Sequence, residues 1–138
     1  MIYPAKLNSN KKIIITLITI FSVVLISLFP TLFNGWVNWD DPGYVTENVL
    51  VSSGHISTDQ IFTTPQVMGL YHPLTLLSLA IDYQIWGHHP FGFHLTNLLL
   101  HLFNTALVFL LFRRLKSSLL VSGIVALLFG MHPMHVES

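Results

Sequence analysis

Three stretches of this chain are almost wholly apolar, and the polar positions between them fall into a few short groups. The first stretch, Ile13 to Phe33, holds 21 residues without a charge. At roughly 1.5 Å per residue a helix there reaches about 31 Å, which matches a hydrocarbon core of about 30 Å. Lys6, Lys11 and Lys12 precede it, as in a secretory signal. A signal core, however, runs about 7–15 residues and closes on small residues, whereas this stretch leaves through Phe33-Asn34-Gly35-Trp36. The pattern predicts an uncleaved transmembrane helix over 13–33. The second stretch, Phe93 to Phe112, follows Pro90 and is closed by Arg113, Arg114 and Lys116, which predicts a helix over 93–112. The third starts near Ser117 and spans only if Lys116 reaches back to the interface and the helix continues to Met134. That reading predicts a helix over 117–134.

A shorter segment, Pro73 to Trp86, places Leu74, Leu77, Ile81 and Ile85 at helical spacing and carries Asp82. At 14 residues it fits a helix lying at the membrane interface better than a span. Ser57-Thr58-Asp59-Gln60 reads as the capping start of another short helix. Asp40-Asp41-Pro42-Gly43 carries a turn signal, with Pro and Gly at its two central positions. Trp36 and Trp39 stand where an interfacial aromatic belt belongs.

Charge placement orders these elements. All six Lys and Arg lie in the first twelve residues or between Arg113 and Lys116, while 34–92 has none and contains Asp40, Asp41, Glu47, Asp59 and Asp82. Three spans put both basic groups on the cytoplasmic side, as the positive-inside rule asks; a fourth span at 73–86 would put the second group outside. The expected organisation is therefore a cytoplasmic tail over 1–12 and a span over 13–33. An extracytoplasmic loop over 34–92 follows, with its interfacial helix at 73–86. A span over 93–112, a cytoplasmic turn over 113–116, a span over 117–134 and the start of a second outer loop over 135–138 complete it. The fold class is all-α integral membrane, multi-pass, with the N-terminus in the cytoplasm.

Composition agrees. Apolar residues make up 52 % of the chain and charged residues 9 %, against about 25 % charged in ordinary soluble domains. That excludes a disordered chain. A formal net charge of zero leaves no electrostatic basis for binding nucleic acid. The absence of cysteine excludes disulfides, thiol catalysis and cysteine-bound metal.

Three groups of residues are able to carry chemistry. Asp40 and Asp41 are adjacent carboxylates just beyond the first span; such a pair can bind a divalent cation, supply a general base, or simply hold a turn. His94, Asn97, His101 and Asn104 fall within an arc of roughly 80° on the second span. They should not face lipid, and they serve either to bond neighbouring helices or to line a path. His132, His135 and Glu137 follow the third span on the side of Asp40 and Asp41, and could converge on a metal if helical. His72, His88 and His89 lie in the same outer compartment.

Trp39-Asp40-Asp41, Tyr71-His72-Pro73-Leu74, His94-Leu95-x-Asn97-x-x-x-His101-Leu102-x-Asn104 and Phe129-Gly130-Met131-His132-Pro133-Met134-His135-Val136-Glu137 together resemble the start of a GT-C glycosyltransferase. The resemblance covers about 13–138 and is nearest the transmembrane and tetratricopeptide-repeat O-mannosyltransferase group and its bacterial relatives. It implies the N-terminal part of a GT-C bundle, with further spans and helical repeats downstream, and an isolated piece without activity. It also implies a polyprenyl-phosphate sugar as donor and transfer at the extracytoplasmic face to a protein or glycan acceptor. Asp41 or Asp40 would act as base or metal ligand. His132, His135, Glu137 and His72 would contact the donor phosphate or the acceptor. Any metal would be a divalent ion such as Mg or Mn on Asp40, Asp41 and Glu137; no covalent cofactor is implied. The bacterial inner membrane is favoured over the endoplasmic reticulum. Two other readings stand beside this one: a transporter or channel whose path is lined by His94, Asn97, His101 and Asn104, and a small non-catalytic assembly subunit.

Overall fold

The computed structural model describes residues 9–63, 67 and 69–132. Among them there is no strand, and the chain is built from helices. These are α1 (Ser9–Leu28), α2 (Val49–Ser52), α3 (Thr58–Thr63), α4 (Pro73–Trp86), α5 (Pro90–Arg114) and α6 (Leu119–Met131). Contacts group them into two units, one formed by residues up to 29 with those from 98 onward, the other by 30–97. Among the described residues, two helices are long and apolar enough to cross a membrane: α1 with its tightened end, Ser9–Phe33, and α5.

Local chemistry explains where each long helix starts and stops. α1 begins at Ser9, ahead of the apolar run, and draws into a tighter 3-10 turn over Phe29–Phe33. Pro30 has no N–H to offer the carbonyl four residues back, so regular geometry cannot pass it. α5 starts at Pro90, three residues earlier than the apolar pattern suggests, because proline suits the first turn of a helix. It ends where Lys116 adopts a left-handed φ of 62°. There the Ser117 N–H donates to the Phe112 carbonyl and the Lys116 N–H to that of Arg113, both at 3.1 Å, a Schellman closure.

α6 is shorter than the 117–134 expected of it. Ser118 is spent on the cap, its hydroxyl accepting from the Val121 N–H at 3.2 Å. At the other end His132 is extended (φ −71°, ψ 126°), the conformation that a following proline demands. Thirteen residues reach about 20 Å, short of a hydrocarbon core of about 30 Å. The segments 1–8 and 133–138, which contain part of the expected tail and the start of the second outer loop, lie outside the described residues.

In the first unit α1, α5 and α6 meet around Ile20, Val24, Phe109 and Ala126. α6 presents Ser122, Ala126 and Gly130, one small buried residue per turn. Small side chains let backbones approach, and at Gly130 they approach so closely that a Cβ would stand 2.6 Å from Val24 Cγ2 and 3.2 Å from both Thr105 Cγ2 and Oγ1.

The second unit packs Val45, Val51, Ile61, Val67, Leu76, Ala80 and Phe93. Trp36 sits edge-on to Phe93, with ring centroids 5.0 Å apart, and its indole N–H donates to the His88 carbonyl at 3.0 Å. It is therefore partly buried in this core, while Trp39 is 82 % exposed. α4 buries Leu76 and Ala80 and turns Leu74, Ile81 and Ile85 outward.

Gly130→Ala should destabilise the first unit by about 1–3 kcal/mol, because Val24 is fully buried and cannot yield. Gly35→Ala, with nothing within 4 Å of its Cβ, should be close to neutral. Unfolding of both variants in matched detergent micelles checks the contrast; equal shifts would refute it.

Candidate active site

The acidic turn belongs to the second unit, and its geometry differs from the β-turn suggested by Pro42-Gly43. Residues Pro42–Thr46 form one wide helical turn, in which the Glu47 N–H donates to the Pro42 carbonyl at 3.0 Å. Proline's fixed φ suits the first position of such a turn as well as a β-turn. The Tyr44 N–H donates to the Asp40 carbonyl at 3.0 Å, so the turn starts on the carboxylate pair itself.

The two carboxylates are placed differently. Asp41 is half-buried, and its Oδ2 accepts from the Val37 N–H at 2.7 Å. That bond fixes its orientation and leaves Oδ1 uncommitted to Val37. Asp40 projects into solvent. Beside them opens a cleft of about 390 Å³ lined by Pro42, Gly43, Glu47, Asn48, Val49 and Leu50. Asn48 stiffens its wall, donating to the Gly43 carbonyl at 3.0 Å and accepting from the Leu50 N–H at 3.0 Å. The ring of Tyr44 lies 6.4 Å from that of His72, centroid to centroid. His72 is exposed at the entry to α4 and thus stands by the same turn.

The polar stripe on α5 does not act as one group. His94 is half-buried, and its Nε2 is shielded from solvent without a hydrogen-bond partner among the described residues. Asn97 and Asn104 are exposed. His101 turns inward, its Nε2 lying 2.9 Å from the Gly130 carbonyl. His132 is exposed at the end of α6, in the first unit, its N–H donating to the Phe129 carbonyl at 3.4 Å. His135 and Glu137 lie outside the described residues.

Among the described residues no three His, Asp or Glu side chains come together to hold a cation. Asp40 and Asp41 offer two carboxylates, one oxygen of which is already given to a backbone N–H. The described residues do not assemble a metal site; Glu137, the third ligand the resemblance implies, lies outside them.

Two polar features had no clear signature in the sequence. The cleft depends on the turn being helical, and Glu47 is adjacent to it only through that folding. Asp82 on α4 is buried at 6 % exposure and accepts from the Thr96 hydroxyl on α5 at 2.6 Å. Burial pushes its carboxyl above the ordinary carboxylate range, and the Thr96 hydrogen bond offsets part of that rise. The two residues are fourteen apart, and only the docking of α4 against the start of α5 pairs them.

Helices of spanning length, with an acidic turn and cleft on the segment joining them, define a helical membrane protein. The chain is similar in sequence to protein O-mannosyl-transferase Tmtc2 of Drosophila melanogaster, at 34 % identity over 126 residues, 85 % of this chain and 13 % of that protein. It is similar to protein O-mannosyl-transferase TMTC3 of Mus musculus at 33 % identity, covering 86 % of this chain and 14 % of that protein. Tmtc1 of Drosophila melanogaster, also named a protein O-mannosyl-transferase, is 40 % identical over 70 residues, 51 % of this chain and 8 % of its own length. The chain thus spans between 8 % and 14 % of these three relatives. No family model matches it, and no solved structure does.

Because the folded state holds the Asp82 proton more tightly than the unfolded chain, stability falls as pH rises from the ordinary carboxylate pKa of about 4 through the raised folded value. Asp82→Asn keeps an acceptor for Thr96 and carries no charge. It should therefore flatten that slope and leave the variant the more stable at pH 7. Unfolding followed from about pH 4 to pH 7 tests this; parallel curves for the two proteins would refute it.

Proposed function

We propose that this chain is the N-terminal portion of a membrane glycosyltransferase related to the protein O-mannosyl-transferases. The observation that carries the proposal is the similarity to Tmtc2 and TMTC3, which extends over more than four fifths of the chain. The acidic turn supplies the chemistry such an enzyme needs. In this reading α1, α5 and α6 are spans of a GT-C-type bundle, with 34–92 on the extracytoplasmic side. The exposed Leu74, Ile81 and Ile85 of α4 then rest on the bilayer, which is where a lipid-borne donor presents its sugar.

The donor is a polyprenyl-phosphate sugar and the acceptor a hydroxyl, on a protein in the relatives' case. Asp41 is the general base. It takes the proton from the acceptor hydroxyl as that oxygen bonds to the anomeric carbon, and the bond from that carbon to the phosphate oxygen breaks with its electron pair going to phosphate. The Val37 N–H holds Oδ2, which presets the carboxylate's direction and avoids reorganisation during the step. The cleft from Pro42 to Leu50 receives the acceptor. His72, beside the turn, serves the donor phosphate or the acceptor, with Asp40 as a solvent-side neighbour of the base; His132, at the end of α6, is a separate candidate contact for the same donor.

In the full-length protein, Asp41→Asn should lower sugar transfer by about 10²–10⁴-fold without reducing membrane insertion. Asp40→Asn should have a smaller effect. Transfer from a lipid-phosphate sugar to a peptide acceptor is the measurement. Loss with Asp40→Asn alone would move the base to that residue, and full activity in both variants would overturn the assignment.

A further inference from the structure

We propose that His101 is a positioning residue, one that holds the last turn of α6 and so sets where the chain leaves that helix at His132. The inference rests on the transferase reading, which gives His132 a place at the donor.

The final carbonyls of a helix have no amide one turn ahead to bond them, and in an apolar layer that deficit is costly. Gly130 lies in the last turn of α6, and its carbonyl oxygen is 2.9 Å from His101 Nε2. A carbonyl only accepts, so the proton of this bond is on Nε2, and the imidazole is the donor. The ring is also stacked on Phe129, with centroids 5.7 Å apart and planes 16° apart. Two consecutive residues of α6 are therefore held by one side chain, Gly130 by direction and Phe129 by face.

The backbone beneath that side chain is fixed as well. The Thr105 hydroxyl donates to the His101 carbonyl at 2.8 Å, and the same Thr105 side chain occupies the space beside Gly130 Cα. Val24 of α1 closes the remaining side. Leucine at position 101 could pack α6 at several heights, since dispersion contacts have little direction. A single hydrogen bond between fixed backbones permits one register. The His132 N–H donates to the Phe129 carbonyl at 3.4 Å, so the departing chain is tied to the very turn that His101 grips.

The test uses the full-length protein with His101→Phe, which keeps a ring over Phe129 but has no N–H, and His101→Gln, whose amide can donate from nearly the same place. Steady-state transfer is measured against the lipid-phosphate sugar, alongside amide hydrogen exchange across α6. His101→Phe should raise KM for the donor about tenfold, the equivalent of one hydrogen bond, with kcat per folded molecule nearly unchanged. Exchange at Phe129 to His132 should quicken while Ser122 to Ala126 stay protected. His101→Gln should restore both. A lower yield of active protein with unchanged KM would mark a residue needed only for folding and would overturn the proposal, as would unaltered exchange in His101→Phe. A wild type that transfers no sugar would instead sink the transferase reading, and the exchange measurement alone would then decide whether His101 holds the turn.

Discussion

A polar group in an apolar layer is costly unless it finds a partner inside the chain, and α1 and α5, the two described helices long and apolar enough to cross a membrane, pack with the shorter α6 largely under that constraint. With 9 % charged residues, these helices have few side chains with which to solvate exposed backbone. Their hydroxyls fold back on their own helices, Thr16 to Lys12, Thr19 to Ile15, Thr105 to His101 and Ser122 to Ser118. The carbonyl of Gly130 is bonded across to His101. Once these bonds are made, the helix surfaces left over are small or aliphatic, and close packing at Ala126 and Gly130 becomes the way α6 joins α1.

The loop unit solves a different problem. It must hold an acidic turn in a fixed shape without cysteines and, among the described residues, without strands. Short helical pieces bury a compact set of aliphatic residues with Phe93, and single hydrogen bonds lock the joints between them. Trp36 is bonded to the His88 carbonyl, Tyr71 to that of Phe62, and Gln84 to that of Gly54. The buried Asp82 paired with Thr96 is one more such joint. Burial raises its carboxyl above the ordinary range, so the joint is made against a desolvation cost that the Thr96 hydrogen bond offsets in part. A polar pair of that kind selects one docking of α4 over others of similar apolar area.

The three groups of candidate residues consequently have different standing in the fold. The carboxylates of Asp40 and Asp41 are separated by role, since one is oriented by a backbone N–H and the other meets solvent. The stripe on α5 is divided by its position on the helix. His101 turns toward α6, while Asn97 and Asn104 lie on the outer side. His132 marks the end of α6, where Pro133 obliges the chain to leave helical geometry.

Much of this was legible in the residues alone. The long apolar runs determined that α1 and α5 would be helices of spanning length, because a backbone in hydrocarbon has few other ways to satisfy itself. The spacing of Leu74, Leu77, Ile81 and Ile85 marked α4 as helical, and the adjacency of Asp40 and Asp41 marked a candidate site. Local pattern did not reveal which side of α4 would be buried: Leu76 and Ala80 go inward, while Leu74, Ile81 and Ile85 go outward. Nor did it reveal that Pro42-Gly43 would open a wide helical turn, since proline's φ serves both forms equally. The pairings of Asp82 with Thr96 and of His101 with Gly130 join residues 14 and 29 positions apart. They exist only after helices dock, and no periodicity records them. Sequence by itself determined where the long apolar helices run; tertiary structure decided the short helical turns of the loop unit and which polar atoms meet, because a hydrogen bond depends on distance and direction between backbones that only packing brings together.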